Sequence, residues 1–158
     1  SDPQRVPRIH DTLQRLHLQA EVKAADARDT ARWWDGQPFD AILLDAPCSA
    51  SGIVRRHPDI RWLRRAEDIP ALAAVQAGLL DALWPLLAPG GRLVYATCSL
   101  FRAEGAHQVA AFLQRTPGVQ PRPSPGHLVP LADNPVTGAE PDAVRPDGFF
   151  YARLDKPR

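Results

Sequence analysis

The sequence predicts an α/β fold, in which strands and helices alternate around a mainly parallel sheet. Residues 41–44 form a short apolar run that is typical of a strand buried on both faces. A second apolar run, residues 92–96, predicts another strand. The long amphipathic segment 69–87 lies between the two runs and predicts a helix. Strands that alternate with helices in this way favour a sheet of parallel strands.

Length and composition are those of a single globular domain. The chain has 158 residues, 44% of them hydrophobic, and a net charge of +1, so its overall charge indicates no particular partner. It has two cysteines without CxxC spacing, and we find neither a signal peptide nor an apolar run of about 20 residues. These features predict a cytoplasmic protein without a membrane span. Because the sequence lacks methionine and opens on Ser1, we expect it to be a piece of a longer chain.

The first forty residues carry weaker signals than the rest. Apolar residues at near-helical spacing predict a helix over residues 3–18, which starts next to Pro3. Residues 20–25 predict a strand that ends at Asp26. Residues 30–38 predict a short helix and a turn before the strand at 41–44.

The remainder of the chain divides at its glycines and prolines. A basic loop covers residues 52–65, and Asp68 is predicted to cap the helix 69–87. Pro89-Gly90-Gly91 is predicted to break the chain before the strand 92–96. We expect a helix over 103–115, a long surface loop over the Pro-rich and Gly-rich residues 121–144, and a final strand over 148–154.

Both cysteines follow predicted strands. Cys48 comes three residues after Asp45, which closes the first run, and Cys98 closes the second. Ligands of open α/β sheets bind outside the carboxyl ends of the strands, where these residues are expected to meet. A lone cysteine is most often a small buried hydrophobe, but this paired placement favours a thiolate nucleophile. A metal site would need further ligands at short spacing, which are missing.

Two carboxylates and a basic loop accompany the cysteines. Asp45 is a candidate proton donor or base recogniser, and Asp26 is a candidate partner for the polar edge of a nucleoside. The loop carries Trp62 among its arginines, and either a solvated face or a surface for phosphates and bases fits this pattern. The arginines proposed to bind RNA are Arg55, Arg56 and Arg61. No GxGxxG, Walker or GxSxG motif is present.

Two segments resemble the signatures of a known family. Asp45-Ala-Pro-Cys-Ser-Ala-Ser-Gly52 and Ala96-Thr-Cys-Ser99 are similar to the paired cysteine motifs of RNA (cytosine-5) methyltransferases. The basic loop and the segment Asp147-Gly-Phe-Phe-Tyr-Ala152 resemble the bacterial branch B that acts on 16S ribosomal RNA of the small subunit. The resemblance covers the whole chain and is weakest over residues 121–144.

The resemblance implies a Rossmann-like class I fold, with S-adenosylmethionine as cofactor and an unstacked cytosine of ribosomal RNA as substrate. Cys98 corresponds to the nucleophile that adds to C6 of the base. Asp45 corresponds to the acid that holds the base edge and lies close to the cofactor. Cys48 corresponds to the thiol that helps to release the product, and Asp26 corresponds to a carboxylate that contacts adenine.

The chain departs from the family pattern at its start. The glycine-rich cofactor loop, the first two strands and an N-terminal RNA-binding domain of the family have no counterpart after Ser1. We therefore expect a truncated sheet, weak or absent binding of S-adenosylmethionine, and self-association through an unpaired strand edge.

Two hypotheses follow from these observations. The first is an S-adenosylmethionine-dependent cytosine-5 methyltransferase of 16S ribosomal RNA, with this chain as the C-terminal part of the catalytic domain. The second is a non-catalytic RNA-binding or assembly module that uses the arginine loop. The two cysteines and Asp45 favour the first, whereas the missing cofactor loop favours the second.

Overall fold

The structure, a computed structural model, describes residues 3–130 and 147–158. The helices of these ranges are Val6–Arg15 (α1), Ile60–Leu63 (α2), Asp68–Leu83 (α3) and Ala106–Arg115 (α4). The strands are Phe39–Asp45 (β1), Leu87–Thr97 (β2), Gln120–Leu128 (β3) and Phe149–Asp155 (β4). Short 3₁₀ turns cover Pro3–Arg5, Thr30–Arg32, Ser51–Ile53, Trp84–Leu86 and Arg102–Glu104.

The strands form one sheet in the order β1-β2-β4-β3. β1 and β2 are parallel and are joined through α3, whereas β4 is antiparallel to both β2 and β3. The α/β class is confirmed. The prediction of a mainly parallel sheet is wrong for the described residues, because β4 runs antiparallel to both of its neighbours, β2 and β3.

Only one face of β1 is buried, so the prediction of burial on both faces is wrong. Leu44 is 6% exposed and belongs to the hydrophobic core, whereas Leu43 is 72% exposed. Successive side chains of a strand point to opposite faces, and the face that carries Leu43 is exposed. Within the described residues β1 has a strand on one side only. Self-association through its other edge stays a prediction.

The predicted strand over residues 20–25 is not formed. Residues 16–29 contain turns and irregular backbone, and Asp26 lies within this segment rather than at a strand end. A strand needs a neighbour that pairs with its backbone N–H and C=O groups, and none of the described strands lies beside this segment. The helix predicted before it is confirmed as α1, whose side chains are exposed or half-buried.

The glycine pair that was predicted to precede a strand lies inside β2. Phe39 pairs with Leu87 and Ala41 with Arg92, so the residues between Leu87 and Arg92 form a bulge against β1. Gly90 has a φ of +78°, a conformation that glycine adopts without strain. The predicted break is therefore a bulge, and the strand continues through it.

Two helices differ from the prediction at their ends. α3 begins at Asp68, whose carboxylate accepts the backbone N–H of Arg65 at 2.9 Å, so Asp68 stabilises the preceding turn and is not the cap. α3 ends at Leu83 and continues as a 3₁₀ turn, because Pro85 has no N–H to offer an α-helix. The helix predicted over 103–115 is divided at Gly105, which has non-helical backbone angles.

Part of the predicted surface loop is a strand. Residues 121–128 belong to β3, which pairs with β4, while residues 131–144 lie outside the described residues. Pro121, Pro123 and Pro125 are tolerated because β3 is the last strand of the sheet, where an outward-facing N–H needs no partner. The final strand is confirmed as β4.

The core lies between the sheet and the helices α3 and α4. Its fully buried side chains are Leu80, Leu87, Leu93, Tyr95, Phe112 and Leu154. By length and hydropathy alone, Asp68–Leu86 also passes as a candidate membrane span. Its buried residues Leu79, Leu80 and Leu83 belong to the same core, which accounts for its apolar character as that of a core helix.

A close approach of three backbones adjoins the end of the sheet. The N–H of Gly52 donates to the carbonyl of Cys98 at 2.9 Å, and the N–H of Gly148 donates to the carbonyl of Gly52 at 2.8 Å. A Cβ atom on Gly52 would lie 2.0 Å from the oxygen of Gly148. Only glycine fits at this position.

We therefore predict that Gly52→Ala lowers the free energy of unfolding by about 1–3 kcal/mol, because the backbones must separate. The matched control is Gly78→Ala in α3, whose Cβ would meet the Cδ of Arg28 at an ordinary 3.5 Å. The control should be stabilised by about 0.5–1 kcal/mol through helix propensity. Urea unfolding measures both variants, and equal stability of the two would contradict the packing described here.

Candidate active site

The carboxyl ends of β1 and β2 bring the two cysteine-containing loops together. Asp45 lies opposite Ala96 in the parallel register, and the next N–H, that of Ala46, donates to the carbonyl of Ala96 at 3.0 Å. Beyond this point Cys48 and Cys98 face each other, with 3.4 Å between their Sγ atoms. Both are free, half-buried thiols. The two cysteines thus lie together at the sheet edge, as the strand pattern predicts.

A hydrogen bond makes the two thiols chemically unequal. When the thiol of Cys48 donates to the sulfur of Cys98, it stabilises the Cys98 thiolate and lowers the pKa of Cys98 to about 7. Burial and the nearby carboxylates of Asp45 and Glu104 act in the opposite direction. The same hydrogen bond, with burial, raises the pKa of Cys48 well above its usual range. In this arrangement Cys98 is the thiol that ionises first, and the thiolate is the nucleophilic form.

A fully buried glutamate, Glu104, ties the two loops together. Its Oε1 accepts the backbone N–H of Ser49 at 2.8 Å, and its Oε2 accepts the hydroxyls of Ser49 at 2.5 Å and Ser99 at 2.6 Å. Ser49 follows Cys48 and Ser99 follows Cys98 in the chain. One carboxylate therefore fixes the residue next to each thiol. The sequence gives one indirect signal of this contact, the serine that follows each cysteine.

The hydroxyl groups around Glu104 can all be satisfied at once. Each hydroxyl has one hydrogen to donate, and those of Ser49 and Ser99 go to the carboxylate. The hydroxyl of Ser51, 3.2 Å from that of Ser99, can then donate to it. In return Ser51 accepts the N–H of Leu100 at 2.9 Å, and Ser99 accepts the N–H of Phe101 at 3.0 Å. Each of these hydroxyl groups therefore has hydrogen-bond partners, as a buried polar cluster requires.

Gln76 of α3 and Tyr95 of β2 extend the network into the core. The side-chain amide of Gln76 donates to the carbonyl of Pro47 at 2.9 Å and to Glu104 at 3.2 Å. The hydroxyl of Tyr95 lies 2.8 Å from the carbonyl of Glu104 and 3.1 Å from Gln76 Oε1. Burial, followed by the charge of Glu104, raises the pKa of Tyr95 above its usual range, so Tyr95 is a neutral donor.

Four of the predicted site residues line one cavity of about 600 Å³. Asp26 and Asp45 contribute carboxylates, and Cys48 and Cys98 contribute thiols. The other lining residues are mostly apolar: Arg5, Ala25, Ala27, Leu44, Ala46, Pro47, Ala50, Val75 and Leu79. The volume lies within the range of about 300–1,000 Å³ that is usual for small-molecule sites.

Asp26 reaches this cavity from an irregular segment and is held by Arg28. The backbone N–H, Nε and Nη2 of Arg28 donate to the carboxylate at 2.9, 3.1 and 2.7 Å. These hydrogen bonds lower the pKa of Asp26 to about 2. An ionised carboxylate offers about four acceptor positions, so the contacts leave room for one further donor.

The arginines of the basic loop have different environments. Arg55 and Arg56 are half exposed and form ion pairs with the buried carboxylate of Asp147. Arg64 donates from Nε to the carbonyl of Ser49 at 2.9 Å, which attaches the loop to the cysteine segment. Arg61 is exposed, and among the described residues it has no ion-pair partner. Part of the loop is thus an internal anchor, which its charge pattern did not predict.

Comparison with models of protein families identifies the family to which this chain belongs. The family model for the 16S rRNA methyltransferase RsmB/F matches residues 1–155. The chain belongs to this family. This confirms the resemblance carried by the two cysteine segments.

Curated relatives and solved structures agree with the RsmB/F assignment. The chain is 53% identical over 156 residues to the ribosomal RNA small subunit methyltransferase B of Vibrio vulnificus, covering 98% of the chain and 35% of that relative. It is 53% identical over 155 residues to the protein of the same name from Salmonella arizonae, again covering 98% and 35%. The chain therefore spans about a third of the length of these relatives.

Two solved structures from Pyrococcus horikoshii share the fold. NSun6 with SFG superposes with a TM-score of 0.77 at 27% identity, covering 99% of the chain and 40% of that protein. A methyltransferase homolog protein superposes with a TM-score of 0.73 at 29% identity, covering 98% and 51%. These structures confirm that the mixed sheet of this RsmB/F member is part of a methyltransferase fold.

The thiol pair of this RsmB/F member generates a pH prediction. Alkylation of Cys98 by iodoacetamide, followed by mass spectrometry across a pH series, should have its midpoint near the pKa of about 7. In Cys48→Ala the donor to the thiolate is removed, so the midpoint for Cys98 should move to higher pH. In Cys98→Ala the remaining Cys48 loses its partner, and its midpoint should fall toward that of an ordinary thiol. An unchanged Cys98 midpoint in Cys48→Ala would contradict the hydrogen bond.

Proposed function

We propose that the protein transfers a methyl group from S-adenosylmethionine to C5 of a cytosine in 16S ribosomal RNA. The observation that carries the proposal is the pair of sulfurs 3.4 Å apart in the wall of a carboxylate-lined cavity, in a member of this family. A non-catalytic RNA-binding module would not need two thiols within 3.4 Å of each other in the wall of a carboxylate-lined cavity. Since bacterial ribosomal RNA is a cytoplasmic substrate, we place the protein in the cytoplasm.

Cys98 is the proposed nucleophile. C5 of cytosine is a weak nucleophile, and addition of a thiolate to C6 makes C5 electron-rich. Cys98 fits this role because its pKa is lowered to about 7 and its side chain faces the cavity. After C5 has gained the methyl group, a base must take the C5 proton; the electron pair of that C–H bond re-forms the C5–C6 double bond, and Cys98 leaves as a thiolate, which restores the aromatic ring.

Cys48 and Asp45 are proposed to assist at different steps of this reaction. Cys48 lies within hydrogen-bond distance of Cys98 and is the proposed group that helps to release the product. Asp45, at the end of β1 on the same cavity, is proposed to hold the base edge near N3. Both roles require the target base to leave its stack and enter the cavity.

The cavity residues fit part of S-adenosylmethionine as cofactor, and weak or absent binding by this chain alone stays a prediction. When bound, this cofactor supplies an electrophilic methyl group. Leu44, Val75 and Leu79 offer apolar contacts, while Asp26 and Asp45 offer carboxylates for amino groups and for a positively charged centre. The remaining acceptor position of Asp26 suits the exocyclic amine of adenine.

Ribosomal RNA is the proposed partner, with Arg55, Arg56 and Arg61 as phosphate contacts. Asp147 already forms ion pairs with Arg55 and Arg56, so the three arginines carry less net charge toward RNA than their number implies. Arg61 has no such acid beside it among the described residues. We therefore expect Arg61 to contribute more to RNA binding than either of the other two.

The first test of the proposal is Cys98→Ala, made in the protein as its gene encodes it. Transfer of labelled methyl groups from S-adenosylmethionine to 16S ribosomal RNA should be abolished, because no thiolate then attacks C6. A covalent protein–RNA complex should also be absent from denaturing gels. Methylation at the unsubstituted rate would contradict the assignment of Cys98.

Cys48→Ala should behave differently from Cys98→Ala. Without the Cys48 hydrogen bond a smaller share of Cys98 is ionised and attack is slower, but attack remains possible whereas release needs Cys48, so a covalent protein–RNA adduct should accumulate when RNA and cofactor are supplied. A denaturing gel detects the adduct as a slowly migrating band. Full activity of Cys48→Ala without any such band would remove Cys48 from the mechanism.

A further inference from the structure

The helix α2 presents an exposed tryptophan. The side chain of Trp62 is 87% exposed, and the adjacent Leu63 is 69% exposed. A large aromatic ring held in water costs free energy relative to burial, so this degree of exposure is unusual for tryptophan. The backbone is ordered here, since Leu63 N–H bonds to the carbonyl of Asp59 at 3.1 Å and Arg64 N–H to that of Ile60 at 3.1 Å. The backbone that carries Trp62 is therefore a hydrogen-bonded helical turn.

Trp62 is held close to the cysteine loop. Two residues further along the chain, Arg64 donates to the carbonyls of Ser49 at 2.9 Å and Cys48 at 3.4 Å. Two residues of chain span at most about 7 Å, so the backbone of Trp62 lies within that distance of the Arg64 backbone, whose side chain makes the contact. The exposed surface around Trp62 is therefore attached, through Arg64, to the segment that carries Cys48.

The charges around Trp62 favour a polyanion. Arg61 within α2 and Arg65 just after it are exposed and have no ion-pair partner among the described residues. The nearest acids in sequence are Asp59 and Glu67, both also exposed. Cations spaced around an exposed aromatic ring match single-stranded nucleic acid, in which phosphates alternate with unstacked bases. An apolar protein partner would use Trp62 and Leu63 but would leave the arginines unpaired.

We propose that Trp62 is a stacking platform for an unpaired RNA base that flanks the target cytosine, with Arg61 and Arg65 on the neighbouring phosphates. This inference rests on the proposed function, since it takes RNA as the substrate of the adjacent site. Trp62 would make the base contact, and Arg61 and Arg65 would make the phosphate contacts. Trp62 does not touch the reacting atoms, so its removal should raise KM for RNA more than it lowers kcat.

Binding of a short, labelled oligocytidylate, measured by fluorescence anisotropy, tests the platform without requiring methylation. Trp62→Ala should weaken binding by about 5- to 150-fold, the range expected when one base can no longer stack. Trp62→Phe should recover most of the affinity, because it keeps an aromatic face. Leu63→Ala is the matched control and should bind as the unsubstituted protein does. Thermal unfolding of each variant shows that the fold is kept.

The salt dependence separates stacking from phosphate binding. Trp62→Ala should leave the slope of log affinity against log salt unchanged, because it removes no charged side chain. Arg61→Ala with Arg65→Ala should flatten that slope by about 0.7 for each phosphate that is no longer neutralised. An unchanged slope in the double variant would overturn the phosphate part of the proposal.

An abasic scan of an RNA that the protein methylates then locates the stacked base. At one position beside the cytosine, an abasic ribose should weaken binding to the unsubstituted protein but not to Trp62→Ala. Trp62→Ala that binds RNA as tightly as Leu63→Ala would overturn the inference, while methylation by the unsubstituted protein would still support the proposed function. Trp62-dependent binding without any methyl transfer would uphold the platform and contradict the proposed function.

Discussion

The hydrogen bonds to Glu104 are the contacts on which the site depends. A buried carboxylate is costly unless donors surround it, and here the donors come from three separate segments, at Ser49, Gln76 and Ser99. Hydrogen bonds to a charged group are worth about 1.5–3 kcal/mol each, whereas an unpaired partner would be costly. The residues beside Cys48 and Cys98 are therefore held relative to each other by one side chain.

The sheet brings the two cysteine-containing loops next to each other, and the polar network around Glu104 fixes the residues beside the two cysteines. Parallel pairing of β1 and β2 brings their carboxyl ends to the same edge, which follows from the order of strand, helix and strand. That pairing alone fixes which backbone residues of β1 and β2 lie opposite each other. The 3.4 Å between the sulfurs is a side-chain property, and it depends on loops that have no regular structure beyond the short turn Ser51–Ile53.

Sequence patterns predicted what is local or periodic. They located β1, β2, β4 and the long helices, and they predicted the meeting of two cysteine loops, because apolar runs and strand-end residues are visible in a single segment. They missed Glu104 and Asp147, whose partners lie far away in the chain. The strand predicted over 20–25 failed for the same kind of reason, since a strand exists only where a neighbour pairs with it.

The most direct test of this account is the rate at which a short bifunctional thiol reagent links Cys48 to Cys98, followed by mass spectrometry. Glu104→Gln keeps the shape but replaces an acceptor oxygen by a donor, and Glu104→Ala removes every hydrogen bond that the side chain makes. The exposed Glu67→Ala, at the start of α3, is the matched control. Removing the Glu104 charge also increases the thiolate fraction of Cys98, so the linkage rate is expressed relative to the rate of single modification of Cys98. We predict rapid relative linkage in the unsubstituted protein and in Glu67→Ala, slower linkage in Glu104→Gln, and the slowest in Glu104→Ala. Linkage at the unsubstituted rate in folded Glu104→Gln and Glu104→Ala would contradict the central claim.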